Sequence, residues 1–219
     1  MKDNRLKEQV FRTIREALIE RNDTQDRASA FYMHSRQDGD NNNSHAESPF
    51  INGDEKDLSV VFAKSFPKNY GGLFYCYSED DLRNKVLEIQ QLHNGATIGC
   101  ASENLTGFLK HLNVENCETC DLGHTHQLGA TLCEALIAWQ GSIVISSNLG
   151  LGTTIPSLPE TTIVIAFTSQ VVADWEEANE RIKQLYPNYP DQIMVTHPAS
   201  YAYRKGQQKL YLILIEDEQ

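Results

Sequence analysis

The sequence predicts an α/β domain: a mostly parallel sheet flanked by helices, carrying an N-terminal helical extension. Three observations lead there. The run Thr161–Phe167 is almost continuously apolar, as in strands buried on both faces of a parallel sheet. From Leu58 onward, strand-like runs alternate with capped helical patterns, the order that builds parallel sheets. The chain has 219 residues, enough for one good-sized core with an appendage.

Between Leu6 and Glu20, the apolar residues Leu6, Val10, Phe11, Ile14, Ala17 and Leu18 recur at helical spacing. One face therefore packs on something, and the segment reads as a docking helix. From Asn22 to Asp57 periodicity is lost in polar, turn-rich runs such as Asp38-Gly39-Asp40-Asn41-Asn42-Asn43, a long surface connection. The chain thus divides into residues 1–57, helix and connection, and residues 58–219, the α/β domain.

Leu58–Phe66 predicts a short helix, and Gly71-Gly72 breaks into a strand over Leu73–Tyr77. Ser78 with Glu79, Asp80 and Asp81 has the cap and acidic first turn of a helix, continued by Leu82, Val86 and Ile89 on one face. A strand follows at Thr97–Cys100, then a Ser102-capped helix through Leu109. The central stretch, Gly129 to Ser147, reads as a turn at Thr131, a short helix through Ala138, a stop at Gly141 and a strand from Ser142. After Thr161–Phe167, a helix over Asp174–Leu185 turns Trp175, Ala178, Ile182 and Leu185 inward. Pro187 and Pro190 end it. Gln192–Thr196 and Lys209–Ile215 read as strands near the sheet edge, with an antiparallel margin.

A net charge of −11 argues against nucleic acid, whose phosphates need a basic face. No apolar run approaches the roughly 20 residues that span a bilayer. The amphipathic start at Met1-Lys2-Asp3-Asn4-Arg5 is unlike an export signal, and an odd count of five cysteines suits a reducing compartment. A cytoplasmic location is expected.

The central turn and the loop Asn148–Pro159 offer free backbone N–H groups and glycines that permit close approach. The candidate ligand-binding residues are Thr131, Gly141, Ser142, Ser146, Ser147, Gly150, Gly152 and Thr153, suited to a carboxylate or phosphate. The plainer alternative is that Thr131 caps a helix and the glycines only turn the chain. No Walker or dinucleotide fingerprint is present. Glu134 is a weak catalytic candidate, a nucleophile or base if it faces the crevice; as an acid in a helix first turn it has a commoner explanation. Cys117, Cys120, His124 and His126 form a low-ranked metal candidate, four N/S ligands for tetrahedral zinc. Polar loops also collect histidine, and Asp121 and Gly123 after Cys120 are unlike a redox Cys-x-x-Cys helix start. Cys133 beside Thr131 is either a thiol activated at a helix start or packing; Cys76 and Cys100 are packing. His197, after a strand end, either reaches the same crevice or, the commoner case, faces solvent in a turn.

Gly129-Ala130-Thr131, Glu134-Ala135-Leu136-Ile137-Ala138, Gly141-Ser142-Ile143-Val144, Ser146-Ser147 and Leu158-Pro159 before the apolar strand together resemble the LUD-domain family, lactate-utilisation proteins of the LutC type. The resemblance implies a fold like the NagB/RpiA/CoA-transferase group and a role in oxidising L-lactate to pyruvate. It also implies that iron–sulfur clusters reside on separate partner subunits of the LutA/LutB type. This chain lacks four correctly spaced cysteines for a cluster and is expected to carry no cofactor, while a small carboxylate such as lactate or pyruvate suits the anion-friendly crevice.

The sequence departs from the family pattern in three places. Gly150-Leu151-Gly152 stands where members usually have a loop arginine, Thr162 where they have histidine, and Thr196–Gly206 where they have an acidic Gly-Pro-Ser motif and a later His-Gly-Pro. A missing arginine removes a bidentate carboxylate clamp. Two alternatives stay open: a stand-alone enzyme of the CoA-transferase/folate cyclo-ligase fold group using Glu134, and a divergent binding module with the Cys/His metal site.

Overall fold

The computed structural model describes residues 57–66, 71–120, 127–149, 159–197 and 209–216. The expected helix at Leu6–Glu20, the polar connection up to Lys56, and His124, His126, Gly150, Gly152 and Thr153 lie outside the described residues.

The helices are α1 (Leu58–Ser65), α2 (Glu79–Leu92), α3 (Glu103–His111) and α4 (Trp175–Leu185). Each begins where a short polar side chain accepts an otherwise unpaired N–H. Asp57 takes that of Ser59, Ser78 that of Asp81, Ser102 that of Leu105 and Asp174 that of Glu177, at 2.9–3.2 Å. Buried Leu82, Val86 and Ile89 on α2 and Leu105, Phe108 and Leu109 on α3 supply the apolar stripes that hold them on the sheet.

Six strands form one wholly parallel sheet: β1 (Gly71–Cys76), β2 (Ile98–Cys100), β3 (Cys117–Thr119), β4 (Leu128–Leu132), β7 (Thr161–Phe167) and β10 (Lys209–Ile215). Their order is β1-β10-β7-β4-β2-β3, every neighbouring pair parallel. The expectation that Lys209–Ile215 lies near the sheet edge is corrected. β10 sits between β1 and β7, and all but its first residue are buried, which is why its apolar residues do not alternate with polar ones.

The antiparallel pairing belongs to a separate sheet rather than to a margin of this one. β5 (Ala135–Ile137), β6 (Ser142–Ser146), β8 (Val171–Val172) and β9 (Ile193–Thr196) order as β8-β5-β6-β9. The helix expected through Ala138 is therefore a strand: Ala135, Leu136 and Ile137 pair antiparallel with Val144, Ile143 and Ser142. Its residues suit a helix, but a three-residue element buried on every side is decided by its pairing partners rather than by propensity.

The two sheets are joined by strands that bend together. β4 passes through Cys133-Glu134 into β5, and β7 passes through a single 3₁₀ turn, Thr168–Gln170, into β8. β4 pairs with β7 before the bend and β5 with β8 after it, parallel both times. The bend breaks the ladder and strands backbone polar groups, which a buried segment cannot leave unpaired. Gln170 takes them up. Its Oε1 accepts from Phe167 N–H at 2.7 Å, and its Nε2 donates to Cys133 C=O at 2.6 Å.

α4 closes the outer side of the small sheet. Ala178, Ile182 and Tyr186 pack with Ala135, Ile137 and Val144 as a second apolar cluster, apart from the main core between the large sheet and its helices. Trp175 and Leu185, expected on the inner face of this helix, flank that cluster partly buried.

Candidate functional site

In open α/β sheets ligands sit beyond the carboxyl ends of the strands, where the chain's winding reverses. Here β2 leads outward to β3, while β4 leads the other way through β7 to β10. The reversal falls between β2 and β4, where Ala101 N–H donates to Ala130 C=O at 3.0 Å. The strand ends bordering it are Cys100–Ser102 and Leu132–Glu134.

Glu134 is the one carboxylate among the buried described residues, at 2 % exposure. Ser146 Oγ donates to its Oε1, and Tyr186 Oη donates to the same oxygen at 2.8 Å. Arg181 does not grip the carboxylate. Its Nε donates to the Glu134 backbone C=O at 3.2 Å and its Nη1 to Ser169 C=O at 3.1 Å, so the guanidinium ties the two strand bends to α4. Burial pushes the Glu134 carboxyl above its ordinary pKa, opposed by the Ser146 and Tyr186 hydrogen bonds and then by the charge on Arg181. The Tyr186 hydroxyl is pushed up as well, by burial first and by Glu134 second. This carboxyl holds its proton to higher pH than a surface glutamate.

The chain of contacts continues outward. Ser146 Oγ accepts from Asn148 N–H at 3.2 Å, Ser147 N–H donates to Gln192 C=O at 3.0 Å, and Ser147 Oγ accepts from Gln192 N–H at 3.3 Å. The Ser147–Leu149 turn, directly before the glycine loop, is thus fastened to the buried acid on one side and to the approach to β9 on the other. Chemically, the arrangement positions backbone. A carboxylate nucleophile must be reachable, and Glu134 is shielded, at 2 % exposure with Ser146 and Tyr186 on its Oε1.

The other sequence candidates separate. Glu134 and Ser146 come together, with Ser147 beside them. Thr131 is wholly buried inside the large sheet opposite Val164, its hydroxyl donating to Leu132 C=O at 3.1 Å. Gly141 turns the β5–β6 hairpin at φ +59°, a conformation side chains resist; a Cβ there would come 2.6 Å from Ser65 C=O. It packs on the end of α1. Ser142 opens β6, buried opposite Ile137. Cys133 lies in the bend, not on a helix, and full burial pushes its thiol up, against activation. Cys76 and Cys100 are buried with thiols raised to about 11 and about 12, chiefly by desolvation.

Of the metal candidates, Cys117 begins β3 buried and donates from Sγ to Val114 C=O at 3.1 Å. Cys120 is half-buried, its N–H on Cys100 C=O at 3.0 Å. Among the described residues no three His, Cys, Asp or Glu side chains stand together as a metal site. His197 follows β9 half-buried, its pKa lowered by desolvation.

Tyr186, Arg181 and Gln170 were not foreseen. They reach Glu134 and Cys133 across 52, 47 and 37 positions of sequence. The only local hint was the presence of polar residues, Glu134 and Ser146, amid runs otherwise apolar.

A parallel sheet bent into a second, mixed sheet around a buried, hydroxyl-held acid defines an α/β protein whose candidate site borders the carboxyl ends of the strands. The LUD domain family matches residues 60–207, and the chain belongs to that family, one associated with lactate utilisation. A crystal structure of a DUF162 family protein from Deinococcus radiodurans is similar at a TM-score of 0.52 and 14 % identity, over 73 % of this chain and 93 % of that one. The likeness is one of fold. Among curated proteins no sequence matches this chain.

Proposed function

We propose that this chain is the non-cluster subunit, of the LutC type, of a cytoplasmic iron–sulfur system that oxidises L-lactate to pyruvate. The LUD domain match over residues 60–207 carries this reading. Partner subunits of the LutA/LutB type hold the clusters, and this chain binds them and a small carboxylate such as lactate or pyruvate.

The site geometry supports a binding role over covalent catalysis. Glu134 is enclosed, with Ser146 and Tyr186 donating to it, while the Ser147–Leu149 turn that it steadies leads in sequence toward Gly150, Gly152 and Thr153, the residues proposed to meet the carboxylate. In the absence of the family's loop arginine, backbone N–H groups take over anion recognition, a weaker and less directional clamp. The stand-alone transferase reading needs Glu134 ionised and open, and zinc binding needs Cys117 to leave its carbonyl partner.

An anaerobic pull-down of the tagged full-length chain from native cells grown on lactate tests the proposal. Iron–sulfur absorbance eluting with separate partner proteins is the expected result. A colourless eluate holding this chain alone overturns it, and ligand screening then begins with CoA and folate compounds.

A further inference from the structure

The described surface carries a groove away from the strand ends. Between α1 and the outer strand β1 lies a shallow concavity of about 640 Å³. It is lined by Asp57, Ser59, Val60, Ala63 and Lys64 of α1 and its cap, and by Tyr75 and Tyr77 at the end of β1. Val60, Tyr75 and Tyr77 are 39 %, 41 % and 73 % exposed, and the two tyrosine rings lie 5.0 Å apart between centroids. β1 is an edge strand, paired only with β10. Exposed large apolar side chains gathered in a concavity mark an interaction surface rather than scattered surface residues.

We propose that this groove receives the chain's own N-terminal amphipathic segment, residues 6–20. Connection is the first argument. Asp57, where the described chain begins, lies on the groove itself, so the preceding residues depart from its rim. A polar connection of this length spans the groove many times over, at about 3.3 Å per residue extended. A tethered ligand of this kind acts at an effective concentration of order millimolar, ahead of a free partner offering a similar face.

Chemistry is the second argument. The segment presents Leu6, Val10, Ile14 and Leu18 at four-residue steps, with Phe11 beside them, the helical recurrence with which amphipathic helices fill apolar grooves. Charge is the third. Residues 6–20 hold three lysines and arginines against three acids, so within a chain of net charge −11 this segment brings no net negative charge to the groove. The groove end at Tyr77 is flanked by acids: Asp81 Oδ2 accepts the Tyr77 N–H at 3.1 Å, and Asp80 is exposed. The family match begins at residue 60, which leaves the segment outside the matched region and the groove at its boundary.

The test places a photo-activated p-benzoylphenylalanine at Val60 and, in a second protein, at Tyr77 of the full-length chain, and identifies the cross-linked peptides by mass spectrometry. The expected product joins the groove to residues 6–20 within one chain and is lost in the Phe11→Asp, Ile14→Asp double variant. That double variant alters only the segment, so its thermal melt serves as the folding control. Capture of the same segment from a second chain, of another part of the chain, or of a different protein overturns the assignment, as does a cross-link that survives the double substitution.

Discussion

The two sheets bury their residues by different rules. In the large sheet, β7 and β10 are apolar almost throughout, and beside the Tyr211 phenol their buried polar side chains are the threonines that open β7. Shape and area decide that core. The small sheet is closed along β5 and β6 and mostly half-buried along β8 and β9, yet around it lie buried Glu134, Ser146, Thr196, Gln170 and Tyr186, so its stability depends on hydrogen bonds that must be satisfied together. An apolar layer tolerates a lost methyl by partial collapse. A polar one is left with an orphan.

The comparison is broken hardest by putting a charge where none is tolerated. Ile213 is wholly buried between Phe74 and Ile165 in register. Ile213→Asp is expected to cost about 5 kcal/mol or more, comparable to a domain's whole stability, and to abolish the cooperative melt followed by circular dichroism. Ser146→Ala leaves Glu134 one donor short and the Asn148 N–H without its acceptor. A loss of about 1–3 kcal/mol is expected in urea unfolding, and Tyr186→Phe should fall in the same range. If both are neutral, the small sheet is held by its apolar cluster alone.

A smaller effect has a definite sign. With the folded pKa of Glu134 raised, the unfolded chain releases this proton first as pH climbs past the ordinary carboxyl value of 4.5. The unfolded state then binds fewer protons than the folded one, so this site's contribution falls with rising pH until the folded carboxyl also ionises. Glu134→Gln removes that slope. Relative to the parent, the variant should gain stability as pH rises above 4.5; a relative loss would show a carboxylate stabilised in its ionised form. Smallest of all is Glu88→Ala, which removes the exposed 2.6 Å pair with Lys85 on α2. Its expected effect is about 0.5 kcal/mol or less, within the scatter of repeated melts.

What could be read from the sequence follows the same division. Helix starts were legible because Ser78, Ser102 and Asp174 announce themselves within three residues of the N–H they accept. Thr161–Phe167 was legible because burial on both faces imposes one composition. The misread segment, Ala135–Ile137, becomes a strand only through Ser142–Val144 and Val171-Val172, and the central place of Lys209–Ile215 depends on strands from distant parts of the chain. The site was half visible. Glu134 and Ser146 were singled out for separate reasons, and nothing near them named Tyr186 or Arg181, whose positions on and just after α4 are set by tertiary packing.

The double bend has a mechanical consequence. A hinge needs a seam that few bonds cross, yet β4–β5 and β7–β8 carry two adjacent lengths of backbone through the same boundary. The Gln170 amide is bolted across it, and the Arg181 guanidinium clasps both bends from α4. To swing one sheet from the other would shear all of these at once. The two sheets therefore answer a pull as one plate.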